Sequence, residues 1–286
     1  MGCKNNRIAI IGSSSFIAKN LIERFENDNV IAAFNRDHSN EIQKYLSDFE
    51  PNVIINCAAE IYNDDKMFDS NIILLFNILD YAKKRSFDLT KSQLKVIQIG
   101  SSSEYGNYYT VPLSENMKLA PSDMYQATKG AGTLLCQGYA RSYNIPICIV
   151  RPFTVYGKYE KPHKFLPTLW RTFKHNVPMT VYNGFHDFVY IDDFTQAIET
   201  LINKSITLGD IINVGSGKQY SNYEIVDIFK NITGIEPNID VKYSTIRKFD
   251  RKTWVCDPTH AIERYGIECT ISIERGIKLF LETASY

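Results

Sequence analysis

Short unbroken apolar runs alternate with longer stretches of helical period along the first half of this chain. Arg7 to Ile11 (Arg-Ile-Ala-Ile-Ile) reads as a strand buried on both faces, and Phe16 to Glu26 as a helix with Ile17, Leu21, Ile22 and Phe25 on one side. Val30 to Phe34 and Val53 to Cys57 are the next strands, followed by a helix from roughly Asp69 to Lys84. Leu94 to Ile99 is a strand, and a helix from about Met124 to Ser142 leads into Ile147 to Val150. Continuous Val/Ile runs with helices between them predict a parallel sheet covered on both faces, an α/β architecture with right-handed crossovers. Beyond Arg151 the pattern loosens, punctuated by Pro152, Pro162, Pro167 and Pro178, and a second lobe is expected there. Ile211 to Val214 reads as a return to the sheet.

Composition narrows the function classes. Lys+Arg and Asp+Glu both number 32, and no polybasic run exists, so no nucleic-acid partner is expected. An anionic small substrate needs only a local arginine or lysine. The six cysteines (Cys3, Cys57, Cys136, Cys148, Cys256 and Cys269) are scattered without a C-x-x-C pair. With the five histidines also lacking metal spacing, no metal is expected, and reduced thiols in the cytoplasm are. No apolar run approaches the roughly 18 residues of a membrane span, so no membrane partner is expected.

The first strand runs into Gly12-Ser13-Ser14-Ser15-Phe16-Ile17-Ala18 and then a helix. A strand, tight turn and helix N-terminus form an anion site, because backbone N–H groups and the helix dipole point at it. The dinucleotide pattern wants three glycines, for the turn, for close approach of the pyrophosphate and for helix–strand packing. Gly12 fills the first place, Ser15 replaces or adjoins the second, and Ala18 falls near the third. The second strand ends in Phe34-Asn35-Arg36, where an acidic residue would ordinarily hold the adenosine ribose of NAD; an arginine there suits a 2′-phosphate. NADP(H) is therefore favoured over NAD(H) as cofactor.

Tyr125 and Lys129 stand four apart on a predicted helix, so their side chains share a face. A neighbouring ammonium is expected to lower the phenol, which then gives or takes a proton as hydride moves at an adjacent carbon. The pair is common by chance, but Ser101, in Gly100-Ser101-Ser102-Ser103-Glu104-Tyr105-Gly106, follows a predicted strand at its carboxyl end, where open α/β sheets bind ligands. Its hydroxyl is placed to share a substrate oxygen with Tyr125.

These blocks resemble the extended short-chain dehydrogenase/reductases, the nucleotide-sugar epimerase, dehydratase and reductase group. The likeness is carried by Gly12 to Ala18, Asn56-Cys57-Ala58-Ala59, Asn71, Ser101 to Gly106, Tyr125/Lys129, Arg151 to Gly157, Asp187 to Asp193 and Asn213 to Gly217. The resemblance implies a Rossmann-type doubly wound sheet over 1–157, with a return around 187–215. It also implies a smaller α/β C-terminal lobe (158–186 and 216–286) gripping a nucleotide-diphosphate sugar, and a homodimer. It makes Ser101, Tyr125 and Lys129 the catalytic set. Gly12, Ser14, Ser15, Phe16, Ile17, Asn35, Arg36, Ala58, Ala59, Asn71 and Pro152 join Tyr125 and Lys129 at the cofactor. Ser102, Ser103, Thr154, His186 and Arg247 fall to the substrate; Arg247, ten residues before Asp257, resembles the arginine that clamps the diphosphate. His186 stands where the family often has a second such arginine, and Thr154 where Asn is usual.

Within that group, sugar 4,6-dehydratases carry an acidic pair right after the catalytic hydroxyl, where this chain has Ser102 and Ser103. The 3,5-epimerase/4-reductases carry a Cys two places after it, where Ser103 stands. The expected function is therefore NAD(P)H-dependent reduction of a nucleotide-linked 4-keto-(6-deoxy)sugar. A 4-epimerase with tightly bound NAD is the alternative, and a non-catalytic NAD(P)-sensing regulator a remote one.

Overall fold

A computed structural model describes residues 6–36, 41–88, 90, 92–106, 111–242 and 252–284. Among these, the first half lays down β1 (Arg7–Ile11), α1 (Phe16–Phe25), β2 (Val30–Phe34), α2 (Ile42–Phe49) and β3 (Val53–Asn56). A continuous helical arm follows: α3 (Asp64–Phe68), a π-helical turn over Asp69–Ile73, and α4 (Leu74–Ser86). Next come β4 (Lys95–Ile99), a 3-10 turn over Ser102–Tyr105, α5 (Met124–Tyr143), β5 (Ile147–Pro152) and β6 (Thr154–Tyr156). The remainder is α6 (Phe165–His175), β7 (Met179–Tyr182), β8 (Phe185–Tyr190), α7 (Ile191–Asn203), β9 (Asp210–Val214), β10 (Gln219–Ser221), α8 (Asn222–Thr233), β11 (Ile239–Lys242), α9 (Thr259–Tyr265) and α10 (Ile273–Thr283).

The main sheet is parallel throughout, in the order β2-β1-β3-β4-β5-β9. Its central strand β1 shows why an apolar run of this kind is nearly unbroken. Successive side chains alternate between faces. Ile8 and Ile10 join one core with Ala18, Leu21 and Phe25 of α1 and Phe194 and Ile198 of α7. Ala9 and Ile11 join another with Ile42 and Leu46 of α2, Leu75 and Ile78 of α4, and Cys136 and Ala140 of α5. A strand roofed by helices on both sides has no polar face. The doubly wound architecture is thus as the sequence suggests, in the variant of strand order that leaves its switch point between β1 and β3.

Two smaller sheets, β10-β8-β6 and β11-β7, lie outside the main one. The second half is more regular than its prolines suggest. Pro167 is the third residue of α6, where no intrahelical acceptor is needed. No helix among the described residues is long and apolar enough to cross a membrane.

Candidate active site

The carboxyl ends of β1, β3, β4 and β5 open into one cavity of about 480 Å³. Gly12, Ser14, Ser15, Phe16, Ile17, Arg36, Ala58, Ala59, Ser101, Ser102, Ser103, Tyr125, Lys129, Pro152, Thr154 and His186 all line it. Among the described residues, two singled out in the sequence do not join them. Asn35 precedes Arg36 without reaching the lining. Asn71 is buried and spent elsewhere: its Oδ1 accepts the Glu60 N–H at 2.8 Å, and its Nδ2 donates to the Glu60 carbonyl and to Thr128. It therefore pins the loop after β3 to α5 and does not itself line the cavity. Arg247 lies outside the described residues.

At the phosphate loop, Gly12 has φ +83°, and a Cβ on it would stand 2.7 Å from the Ala58 backbone. Only glycine lets β1 turn here against the neighbouring strand's end. Ser15 is extended (φ −72°), so its place needs no glycine, and its hydroxyl accepts the Ala18 N–H at 3.2 Å as the N-cap of α1. The serine serves the helix. The amides of Phe16 and Ile17 belong to the first turn, whose donors have no intrahelical acceptor. This donor chemistry fits a pyrophosphate.

Ser101, Tyr125 and Lys129 meet at the opposite wall. Asp123 caps α5 by accepting the Gln126 N–H at 2.9 Å, which fixes the first turn that carries Tyr125. Desolvation pushes the Tyr125 hydroxyl up to about 12, against the pull of its hydrogen bond with Ser101 and with a push from Glu104 and Asp123. Lys129, 6% exposed, donates its Nζ to the Ile99 carbonyl at 2.7 Å, and burial draws it below the usual lysine range. The expected lowering of the phenol by its ammonium neighbour is therefore not what the protein alone provides. The ammonium faces the end of β4, and desolvation dominates.

Behind Ser101 stands a pair that sequence reading missed. Glu104 is fully buried and accepts the Ser101 N–H at 2.9 Å, the Thr133 hydroxyl at 2.7 Å and the Arg151 Nε at 2.9 Å. Ser101 in turn accepts the Ser103 N–H, completing a reciprocal cap of the 3-10 turn. Ser101-x-x-Glu104 is the sequence signature of such a cap. Trp254, Glu160, Lys161, Lys164, Ile61 and Tyr62 also line the cavity. Tyr62 Oη meets His163 Nε2 at 2.9 Å. Desolvation pushes the Glu160 carboxyl up to about 8, with Lys164 opposing. Nothing local in the sequence marks Trp254, because its neighbours at the cavity are far along the chain.

His186 Nδ1 lies 3.5 Å from Thr154 Oγ1, bringing two residues expected at the substrate onto the neighbouring strands β6 and β8. Among the described residues no group of His, Cys, Asp and Glu is placed to hold a metal ion.

Comparison with known proteins bears on this arrangement. CapI of Staphylococcus aureus is 29% identical over 208 residues, which is 68% of this chain and 60% of that protein. The chain thus matches less than two thirds of that relative's length. The dTDP-glucose 4,6-dehydratase of Salmonella typhimurium is 23% identical over 96% of this chain and 82% of its own. The UDP-glucuronic acid 4-epimerase of Bacillus cereus, solved with UDP-glucuronic acid and NAD, superposes with a TM-score of 0.84 at 23% identity, over 96% of this chain and 98% of that one. Residues 8–215, which carry most of the cavity wall, match the NAD dependent epimerase/dehydratase family. The chain belongs to that family, the extended short-chain dehydrogenase/reductases.

Proposed function

We propose that the protein reduces the 4-keto group of a nucleotide-linked (6-deoxy)sugar with NAD(P)H. The observation that carries this reading is Tyr125, hydrogen-bonded to Ser101 and held up to about 12, hence protonated at neutral pH. Reduction of a ketone needs a proton donor at the carbonyl oxygen, and a protonated phenol is one. Ser101 donates a second hydrogen bond to that oxygen and steadies its developing charge. Ser102 and Ser103 stand where elimination of water would want a carboxylate pair, which argues against dehydration. When bound, the dinucleotide supplies the hydride. Gly12 and the first turn of α1 hold its pyrophosphate, Arg36 meets the 2′-phosphate, Lys129 holds the nicotinamide ribose, and Ala58, Ala59 and Pro152 flank it. Thr154, His186 and Arg247 take the sugar nucleotide, with Trp254 giving it an apolar wall. In this division, 1–157 with 187–215 serve the dinucleotide, and 158–186 with 216–286 serve the sugar nucleotide.

A second reading, a 4-epimerase that retains NAD, is favoured by one observation: the Arg36 guanidinium is already paired with Glu60. The Bacillus cereus relative, an epimerase solved with NAD, points the same way. An epimerase must return its hydride to the same sugar, whereas a reductase releases spent cofactor each cycle. Mass spectrometry of the denatured protein and a turnover assay separate the two. We expect little retained cofactor, and one NADPH oxidised per nucleotide-linked 4-keto sugar consumed. Stoichiometric retained NAD, with interconversion of two 4-hydroxy sugars without added cofactor, overturns the reductase reading.

The same reading includes a homodimer in the cytoplasm. Leu134 and Phe87 are 63% and 68% exposed, and Phe76 and Tyr139 stack edge to face beside them on the outer side of α4 and α5. Such a patch is costly in water and suits a second copy of the chain. A monomer mass by sedimentation at micromolar concentration would remove the dimer from this proposal.

A further inference from the structure

Arg36 lines the cavity just beyond the end of β2, and it is held by a carboxylate that does not line it. Its Nη1 donates to the Ala59 carbonyl at 2.6 Å and its Nη2 to Glu60 Oε2 at 2.8 Å. Glu60 is itself fixed. Its Oε1 accepts the N–H groups of Ile61, Tyr62 and Asn63 at 3.0, 3.0 and 3.2 Å, and Asn71 brackets its main chain on both sides. Burial alone would raise the carboxyl, but those three backbone donors together with Arg36 bring it down to about 2. Glu60 is thus a permanent anion at neutral pH, 8% exposed and without freedom to swing aside.

We propose that Glu60 is a specificity-determining residue for the dinucleotide: it orients the Arg36 guanidinium and offsets its charge, so that a 2′-phosphate gains little over a 2′-hydroxyl. The proposal rests on the reading above, in which the adenosine ribose lies at Arg36. The argument is electrostatic. A guanidinium has five donors in a fixed fork, so the contacts to Glu60 and Ala59 leave others for a ligand. What the pair lacks is net charge. A phosphate at Arg36 sits within reach of a fixed carboxylate, and like charges about 6–8 Å apart at a half-exposed site change affinity on the order of tenfold. A ribose hydroxyl, being neutral, escapes that repulsion. Glu60 acts through Arg36 and touches no ligand, so it is a positioning residue.

The test measures Kd for NADPH and NADH by nucleotide fluorescence in wild type, Glu60→Gln, Arg36→Gln and the double variant. Glutamine keeps an oxygen for the three backbone donors and removes the charge. Glu60→Gln is expected to raise the NADPH-over-NADH affinity ratio about tenfold, chiefly by tightening NADPH. Arg36→Gln leaves the carboxylate unopposed and is expected to lower the ratio at least tenfold, a readout that stands even if the Glu60 variant folds poorly. The double variant is expected to lose the NADPH gain of Glu60→Gln, since no guanidinium remains to be released. An equal loss of both cofactors in Glu60→Gln, the result of a merely structural role, overturns the proposal, as does an unchanged ratio. An unchanged ratio in Arg36→Gln overturns it differently, by removing the 2′-position from Arg36.

Discussion

Replacing Glu104 by glutamine tests how far the chemistry and the stability of this protein rest on one buried group. Glu104 is 0% and Arg151 1% exposed. The carboxylate satisfies three donors with two oxygens: Ser101 N–H on Oε1, and Thr133 Oγ1 and Arg151 Nε on Oε2. An amide has one acceptor oxygen and one donor group. If that oxygen faces Ser101, the NH2 opposes both Arg151 and Thr133; if the amide flips, the NH2 opposes the Ser101 N–H. Either way a buried guanidinium loses its counter-charge, at a typical cost of about 3–5 kcal/mol. The Arg151 guanidinium also lies 4.7 Å from the Tyr105 ring centroid, which offers partial relief, so the lower end, about 3 kcal/mol, is expected. For a chain of this size that corresponds to a fall of roughly 6–12 °C in Tm by calorimetry. Adding Arg151→Met removes the orphaned charge and should recover most of the loss, because the amide oxygen is then free to keep the Ser101 N–H. A loss below about 1 kcal/mol in Glu104→Gln, or no recovery in the double variant, would refute the assignment of this pair as a buried charge couple.

Two further outcomes follow from the same geometry. Tyr125→Phe is expected to lower turnover by about 10²-fold or more with cofactor affinity retained, as for loss of a positioned acid; near-normal turnover removes Tyr125 from the chemistry. Glu160, held up to about 8 by desolvation, should tie stability to pH, because a raised carboxyl means the unfolded chain gives up its proton first. Its burden is absent below about pH 4.5 and grows as pH rises to about 8, so Glu160→Gln should gain Tm over wild type more at pH 8 than at pH 5.5; equal gains at both values would contradict the assigned cause.

The sequence was most readable where burial is two-sided and local. β1 falls on the residues its apolar run delimits, because a central parallel strand writes itself as an unbroken apolar run; β2, partly buried at the sheet's edge, is delimited by its own short run Val-Ile-Ala-Ala-Phe. Beyond Arg151, prolines were mistaken for irregularity. Pro167 occupies the first turn of α6, and α8 opens on the reciprocal cap of Ser221 and Glu224, a local signature that was there to be read. At the candidate site, the residues belonging to strand ends and the first turns of helices were legible, since each sits in a recognisable block. Their partners were not. Arg36 meets Glu60 across 24 positions, Glu104 meets Arg151 across 47, and Tyr62 meets His163 across 101. Spacing along the chain carries no trace of such pairs, and these contacts decide charge. Arg36 alone reads as a free cation waiting for phosphate; Arg36 on Glu60 is a neutral couple.

The division of charge along the cavity then has a chemical consequence. At the Arg36 end, full charges are present and compensated. At the Tyr125 end, burial dominates: desolvation raises the phenol and lowers the ammonium of Lys129, which donates a hydrogen bond to the Ile99 carbonyl. A carbonyl entering between Ser101 and Tyr125 meets two hydroxyl donors and no anion, the environment that favours negative charge developing on oxygen. The nearest anion, Glu104, is tied down by Arg151, Thr133 and the Ser101 amide, so it positions the wall without competing for the substrate's proton. The arrangement is thus prepared to give a proton before it is prepared to take one.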